Sequence, residues 1–445
     1  MAGSSGGARI VGWESGLVQA GELLRAGKLV AFPTETVYGL GANAFHEEAV
    51  RDIFRAKGRP LTDPVIVHVT DAQVAERDIV DLGQGDSFAR KVFHALAHTL
   101  WPGPLTLVCR AAPAIPRVVC AGGDFVGVRC PDHPVAQRLL QECRVPVAAP
   151  SANRFGHVSP TCASHVLDDL QHWEGLLVLD GGSSNIGIES TVVRIDTEDM
   201  NSVTVLRKGG TPLLDIRHAL DENGLHKVEL QVKHAIASGL KAEIAPGQLL
   251  THYAPDVPAF MVDRLEESPQ EVTSMLDQKL CAISDCVVLD IGCRLEDLKD
   301  FCLSYRDISP ENDPSKSAEM LFAALRWSEQ VPGAKAVLLP TLQGLGDDIV
   351  AKSLSVESMA SDGEPCGEDV STVAGAVRDR LYRACSGRKA VLAFAEGHPT
   401  DRRRRDLYVS TEEMVLDAHH DAQILKQCAE SGGEGPAEEE FEDGT

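Results

Sequence analysis

The chain has 445 residues, 43% of them hydrophobic and 24% charged, which is ordinary for a globular protein and long enough for two domains or more. A formal net charge of −24 sets it against polyanions, so wholesale coating of RNA or DNA through counterion release is excluded while local basic pockets stay open. Twelve cysteines without a Cys-x-x-Cys pair argue against a zinc site or a disulfide scaffold, and with no leader-like start and no apolar run of roughly 18 residues, a cytosolic protein is expected.

In chain order, apolar positions at three- and four-residue spacing predict a helix over 17–26, and the apolar run 28–32 predicts a strand that stops at Pro33. The polar stretch Pro33-Thr34-Glu35-Thr36-Val37-Tyr38-Gly39-Leu40-Gly41 follows at that strand's end, where small ligands settle in α/β sheets. Gly39-Leu40-Gly41-Ala42-Asn43-Ala44 also fits the loose dinucleotide pattern, with Asp63 about twenty residues on, which suggests a nicotinamide dehydrogenase. That fingerprint's first glycine follows its strand at once, whereas Pro33 to Tyr38 intervene here, so the stretch is read as a flexible turn. A helix over 47–56 then delivers Lys57-Gly58-Arg59-Pro60, and a loop would aim both cations at one anion, the arginine as a bidentate fork and the lysine as a point charge. The commoner role for such residues is to favour the helix dipole. Asp63, Pro64 and His68, the last on a strand over 65–69, tip the balance toward a ligand.

Further strands are predicted over 105–109, 126–130, 145–149, 176–180, 191–195 and 203–206, with helices over 88–100, 134–143 and 163–170. The last strands follow one another without helices, so the sheet is expected to be mixed. Trp101-Pro102-Gly103-Pro104 reads as backbone shaping. Arg129 closes its strand before Pro131 and suits a carboxylate ligand, a surface salt bridge being the equal alternative. Ala149-Pro150-Ser151-Ala152-Asn153 ends another strand, and Ser159 or Thr161 then either caps the next helix or joins its N-terminus in holding phosphate. A third polar loop over 181–185 leads to Glu189-Ser190-Thr191, and Arg207 closes a further strand.

Residues 241–256 lack periodicity and read as a linker, punctuated by Ala245-Pro246-Gly247 and His252-Tyr253-Ala254-Pro255. Strands over 286–290, 336–339 and 390–394 and helices over 317–330 and 372–385 predict a smaller α/β domain. Arg402 to Arg405, flanked by Asp401 and Asp406, reads as a solvated loop, and 430–445 as an acidic disordered tail. The expected division is 1–240, a linker or lid over 241–258, a second domain over 259–428, and a tail over 429–445.

Taken as a set, the motifs at 33–41, Lys57-Gly58-Arg59-Pro60, Pro150-Ser151-Ala152-Asn153, Ser190-Thr191-Val192 and Arg207 resemble the threonylcarbamoyl-AMP synthases, over roughly 17–212. The 245–255 segment is similar to the linker of their long, two-domain form, with an altered stretch around 344–375 in the second domain. The resemblance implies a YrdC-like twisted, mixed open sheet flanked by helices, joined by an extended linker to a smaller Rossmann-like α/β domain. It implies that threonine, bicarbonate and ATP give threonylcarbamoyl-adenylate and pyrophosphate, a nucleotidyl transfer governed by positioning and charge neutralisation. The product would pass to a threonylcarbamoyl-transferase complex acting on tRNA beside the anticodon. Carried over, Thr36, His68, Arg129, Ala149 and Ser190 line a threonine pocket. Arg59, Asp63, Ser151, Asn153, Ser159, Arg207 and Tyr253 surround ATP, and Lys57 and Arg59 serve the transfer. Asp63 stands where the family has asparagine, and Mg2+ arriving with ATP would reconcile a carboxylate there. The 241–256 linker is expected to fold over the cleft and keep water from the labile product.

Two rivals remain from the sequence. A tRNA- or double-stranded-RNA-binding module on the same sheet conflicts with the acidic balance, and the carbamoyl transferase of hydrogenase maturation would need zinc fingers that are not visible here.

Overall fold

Strand and helix order in the first unit follows from alternating apolar runs and amphipathic segments. The strands are β1 (Arg9–Gly12), β2 (Val30–Phe32), β3 (Gly39–Asn43), β4 (Ile66–His68), β5 (Leu105–Arg110), β6 (Phe125–Arg129), β7 (Val147–Ala148), β8 (Leu177–Asp180), β9 (Thr191–Ile195), β10 (Ser202–Arg207) and β11 (Glu229–Val232). The helices are α1 (Trp13–Arg25), α2 (Glu47–Lys57), α3 (Ala72–Asp78), α4 (Phe88–Leu100), α5 (Pro134–Cys143), α6 (Ala163–Leu170) and α7 (Leu213–Glu222). The computed structural model describes residues 7–195, 201–232, 253–263, 278–342, 372–394 and 405–409. Among these, the first sheet has 11 strands in the order β1-β8-β2-β3-β7-β4-β6-β5-β9-β10-β11. Parallel pairs such as β4 with β6 alternate with antiparallel ones such as β5 with β6, so the sheet is mixed as expected.

Caps explain where several helices begin. Ser87 accepts from the Arg90 N–H ahead of α4, and Asp71 accepts from the Val74 N–H ahead of α3. Helix α4 then buries Val92, Phe93 and Leu96 in the main core beside Leu105 and Leu107 of β5.

Three expectations are corrected. The 39–44 stretch is no flexible turn: Gly39–Asn43 is β3, paired antiparallel with β2 and β7. Its glycines serve close packing, since a Cβ on Gly41 would stand 2.7 Å from Val147 Cγ1 and 2.9 Å from Phe32 Cε1. Gly41→Ala should therefore cost about 1–3 kcal/mol through overpacking, measurable as a lower denaturation midpoint at unchanged slope. Ser159 and Thr161 do not cap a helix, because α6 starts after Cys162 without a side-chain cap. The first helix begins earlier than predicted, at Trp13, behind the strand β1.

The second unit contains β12 (Ala259–Asp263), β13 (Gln278–Ala282), β14 (Cys286–Asp290), β15 (Ser304–Asp307), β16 (Ala336–Pro340), β17 (Lys389–Phe394) and β18 (Arg405–Val409), with helices α8 (Pro314–Glu329) and α9 (Thr372–Ala384). Its described strands form one sheet in the order β13-β18-β17-β12-β16-β14-β15, parallel from β17 to β15. This is the smaller α/β domain that the alternating elements predict. Arg405 opens β18 instead of continuing a solvated loop. Residues 241–252 of the linker, most of the altered 344–375 stretch, and the tail lie outside the described residues.

The two units share a core. Val37, Val158, Ile188 and Tyr253 pack with Phe322, Leu325, Ala374 and Val377 from α8 and α9. Polar contacts frame it. His157 lies between Asp169 and Glu329 at 2.8 Å on either side, and Arg326 of α8 donates to Asp169 Oδ2 at 2.8 Å.

Candidate active site

The 33–41 motif folds on its own hydroxyls before it meets any ligand. Thr34 Oγ1 accepts from the Thr36 and Val37 N–H groups and donates to Val37 O at 2.6 Å, which closes the loop after β2 as a tight turn. The polar loop after β8 braces it from outside. Ser184 Oγ donates to Thr34 O, the Ile186 N–H to Glu35 O, and Tyr38 OH to Gly182 O at 2.7 Å. Burial raises the Tyr38 phenol far above its usual range, so it stays neutral and structural.

This turn borders a cavity walled mostly by polar and charged side chains. Thr36, His68, Arg129, Ala149 and Ser190 line it together with Arg59, Ser151, Arg207, Glu189 and Tyr253. Lys57, Asp63, Asn153 and Ser159 are not in its wall; each sits one layer behind.

Three buried arginines therefore converge on one hollow. Arg129, at the end of β6, donates from Nη1 to Thr36 Oγ1 at 2.9 Å and from Nε to Gly103 O, and its Nη2 lies 2.5 Å from Glu35 Oε1. Arg59 donates from Nε to Asp63 O at 3.0 Å and from Nη2 to Pro64 O at 2.7 Å, with Nη2 also 3.0 Å from Asp63 Oδ1. Its Nη1 has no hydrogen-bond acceptor among the described residues. Arg207, at the end of β10, donates to Ser190 O and Ser190 Oγ at 3.1–3.2 Å. Ser190 Oγ is in turn 2.8 Å from Thr106 Oγ1. Fixed guanidinium groups in a water-poor site bind carboxylate and phosphate oxygens better than mobile surface cations do.

Lys57 departs from the expected pairing with Arg59. Gly58 turns the chain in the left-handed region at φ 64°, and Lys57 Nζ donates to Ser151 O at 2.6 Å and Asn153 O at 2.5 Å. Its ammonium is thus spent on shaping the Ser151–Asn153 loop and is not aimed at an anion in the cavity. Burial, and then the neighbouring Arg59, push its pKa well down. Asn153 Nδ2 donates to Arg154 O and His157 O, holding the same loop from the other side.

His68, on β4, is a neutral group. Burial and then the Arg129 charge push its pKa down to about 3, and its Nδ1 has no partner among the described residues. A neutral imidazole on the wall suits an amine or hydroxyl better than it suits a second anion.

Glu35 and Glu189 escaped the sequence reading as site residues. Glu35 holds Arg129; Glu189 accepts from Ser159 Oγ at 2.8 Å and from Arg380 Nε of α9 at 3.0 Å. Tyr253 is fully buried at the cavity edge, stacks on Phe322 at 5.2 Å, and takes φ 65°, which costs a non-glycine residue about 1–2 kcal/mol.

The donor set fits a divalent ion poorly. Asp63 is buried behind Arg59, burial raises its pKa, and Glu189 is already committed to Ser159 and Arg380. Among the described residues, His157, Asp256 and Glu329 bring their ligand atoms within 4.8 Å of one another, but Arg154 already engages Asp256 and His157 already engages Glu329.

Comparison with known proteins adds independent constraints. A family model described as "Telomere recombination" matches residues 22–209, and one described as "Threonylcarbamoyl-AMP synthase, C-terminal domain" matches 215–386. A threonylcarbamoyl-AMP synthase of Pyrococcus abyssi is 41% identical over 244 residues, which are 55% of this chain and 67% of that protein. One from Bacillus subtilis is 39% identical over 266 residues, 59% of this chain and 70% of its own length. Among solved structures, P. abyssi Sua5 complexed with L-threonine aligns with a TM-score of 0.63 at 29% identity, covering 86% of this chain and 97% of that one.

Proposed function

Because the chain belongs to the threonylcarbamoyl-AMP synthase family, in its long two-domain form, we propose that the cavity joins L-threonine, bicarbonate and ATP into threonylcarbamoyl-adenylate with release of pyrophosphate. The observation that carries the assignment is the convergence of Arg59, Arg129 and Arg207 on one hollow whose remaining wall is hydroxyl, imidazole and aromatic ring.

The chemistry is a nucleotidyl transfer that needs no nucleophilic side chain. The threonine amine attacks the carbon of CO2 formed from bicarbonate and loses a proton. A carbamate oxygen then attacks the α-phosphorus, and the bond to the β-phosphate oxygen breaks as pyrophosphate leaves. Catalysis of this kind is positioning and charge neutralisation. Arg129 takes the threonine carboxylate, with Thr36, His68, Ala149 and Ser190 around the rest of the amino acid. Arg59, Arg207, Ser151 and Tyr253 face the nucleotide. Lys57, Asp63, Asn153 and Ser159 act through these neighbours: Lys57 and Asn153 shape the Ser151 loop, Asp63 orients Arg59, and Ser159 orients Glu189. Mg2+ would arrive with ATP and would neutralise phosphate charge, with no side chain of this wall assigned to hold it. The adenylate feeds a threonylcarbamoyl-transferase complex that modifies tRNA, and the free thiols of the described cysteines favour the reducing cytosol. Among the described residues no helix is long and apolar enough to cross a membrane.

Incubation with ATP, bicarbonate and labelled threonine should release pyrophosphate only when all three are present. Arg59→Ala should lower that rate about a hundredfold, as loss of one charge-stabilising donor does. Lys57→Ala should act more weakly, because its ammonium touches loop carbonyls only. ATP turnover indifferent to threonine would remove the assignment.

A further inference from the structure

The second unit brings a buried cation to the cavity wall. Arg380, on α9, is 0% exposed and donates from Nε to Glu189 Oε2 at 3.0 Å. Its guanidinium carbon lies 5.4 Å from the centre of the Tyr253 ring. Nη1 meets Asp379 Oδ2 at 2.8 Å, and Nη2 has no hydrogen-bond acceptor among the described residues. Glu189 and Tyr253 both line the cavity.

Burial of a guanidinium is expensive, and a group kept only for the stability of its own unit would be paired fully within that unit. Here its cross-unit contacts go to two parts of the cavity wall. Glu189 receives Arg380 on one oxygen and Ser159 on the other, so its carboxylate is fixed in place. Tyr253 is held from two sides, by the cation and by the Phe322 ring of α8, in a backbone conformation that it would not keep unaided. The same segment is tied down just beyond, where the Ala254 N–H donates to Gly156 O at 3.0 Å.

We infer that Arg380 is a positioning residue for the reaction: through Glu189 and Tyr253, the second unit sets the wall that closes over the nucleotide. The inference rests on the assignment of this cavity to adenylate formation. It gives the second unit a definite task, which is to hold the closing tyrosine in register while the anhydride forms and water is kept away.

The test uses the full chain with Arg380→Met, Arg380→Lys and Phe322→Leu, each also combined with Tyr253→Ala. Arg380→Met should raise the KM for ATP about tenfold, the loss expected when an aromatic anchor loses its cation, with kcat less affected. ATP consumed per threonylcarbamoyl-adenylate formed should rise several-fold, and the Ala254 amide should exchange with solvent about tenfold faster. Arg380→Lys should recover part of each, since it keeps the charge at Glu189 but not the planar face. In the Tyr253→Ala background, Arg380→Met should add little to the coupling defect, because both changes release the same contact. Where Arg380→Met does not fold, Phe322→Leu carries the same expectations from the opposite face of the ring.

A folded Arg380→Met protein with unchanged Ala254 exchange and unchanged ATP coupling overturns the inference, as does full additivity with Tyr253→Ala. A lower melting temperature alone, with KM and coupling intact, also overturns it and leaves Arg380 purely structural. If the unmodified chain shows no threonine-dependent pyrophosphate release, the assignment of the cavity fails, while the amide exchange still decides whether Arg380 holds the Tyr253 segment.

Discussion

Arg129→Ala is expected to lower threonine-dependent pyrophosphate release about a thousandfold, since a charged donor to a substrate carboxylate in a dry site contributes about 4 kcal/mol and each tenfold is about 1.4. The same change should destabilise the fold by about 3–5 kcal/mol, for a separate reason. Arg129 Nη2 is 2.5 Å from the buried carboxylate of Glu35, and removing one partner strands the other without water. The two effects can be pulled apart. Arg129→Ala with Glu35→Gln should regain much of the lost stability in urea unfolding while remaining inactive. Recovery of activity in that double variant would show that Arg129 serves the fold alone.

Asp169→Asn should cost about 3–5 kcal/mol as well, at the contact between the two units. Asp169 accepts from Arg326 Nη2 and His157 Nδ1, both at 2.8 Å, and from the Arg154 N–H at 3.2 Å. Loss of its charge leaves two buried cations facing each other. His157 is cationic for a geometric reason: each ring nitrogen stands 2.8 Å from a carboxylate oxygen, so each must donate. Burial alone would lower its pKa, yet the bonds to Asp169 and Glu329 raise it above 6.5. A raised folded-state pKa gives stability that is complete below the unfolded value and is lost as pH climbs through the folded one. Asp169 behaves in the opposite sense. Burial opposes its charge, but the His157 bond and Arg326 hold its pKa down to about 2, so its contribution is present above the unfolded value of 3.8 and lost as pH falls through 2. Stability measured by urea unfolding should therefore decline from about pH 6.5 upward in the parent chain, and that slope should flatten in Asp169→Asn. A parent chain whose stability is level from pH 6 to 9 would refute a charged His157.

Much of the architecture was legible because its periodicity is strong. Helices at Phe88–Leu100, Pro134–Cys143 and Ala163–Leu170 and strands at Thr191–Ile195 and Cys286–Asp290 stand where apolar spacing placed them. Gly39–Asn43 escaped because glycine carries no strand preference of its own; packing against Phe32 and Val147 makes it one. Helix α3 is short, α7 has a modest apolar face, and the β11 edge strand is only half-buried, so their signals fade into the surrounding loops. At the cavity, residues at strand ends were visible because α/β topology tells where strand ends gather. What could not be seen was pairing. Nothing local marks Glu35 as the partner of Arg129, and Arg380 lies 191 positions from Glu189. Lys57 looked like a phosphate cation because its contacts with the Ser151–Asn153 carbonyls, 94 and 96 residues away, leave no trace in its own segment.

The shared core of Val37, Ile188 and Tyr253 with α8 and α9 has a consequence for how the enzyme comes into being. On the ribosome, the first sheet is complete by Val232, but Arg380 emerges about 150 residues later, a lag of roughly seven to thirty seconds at ordinary elongation speeds. Until then the nascent pocket has one wall missing. A chain released before Arg380 is added would therefore carry an unanchored Tyr253 and bind ATP more weakly.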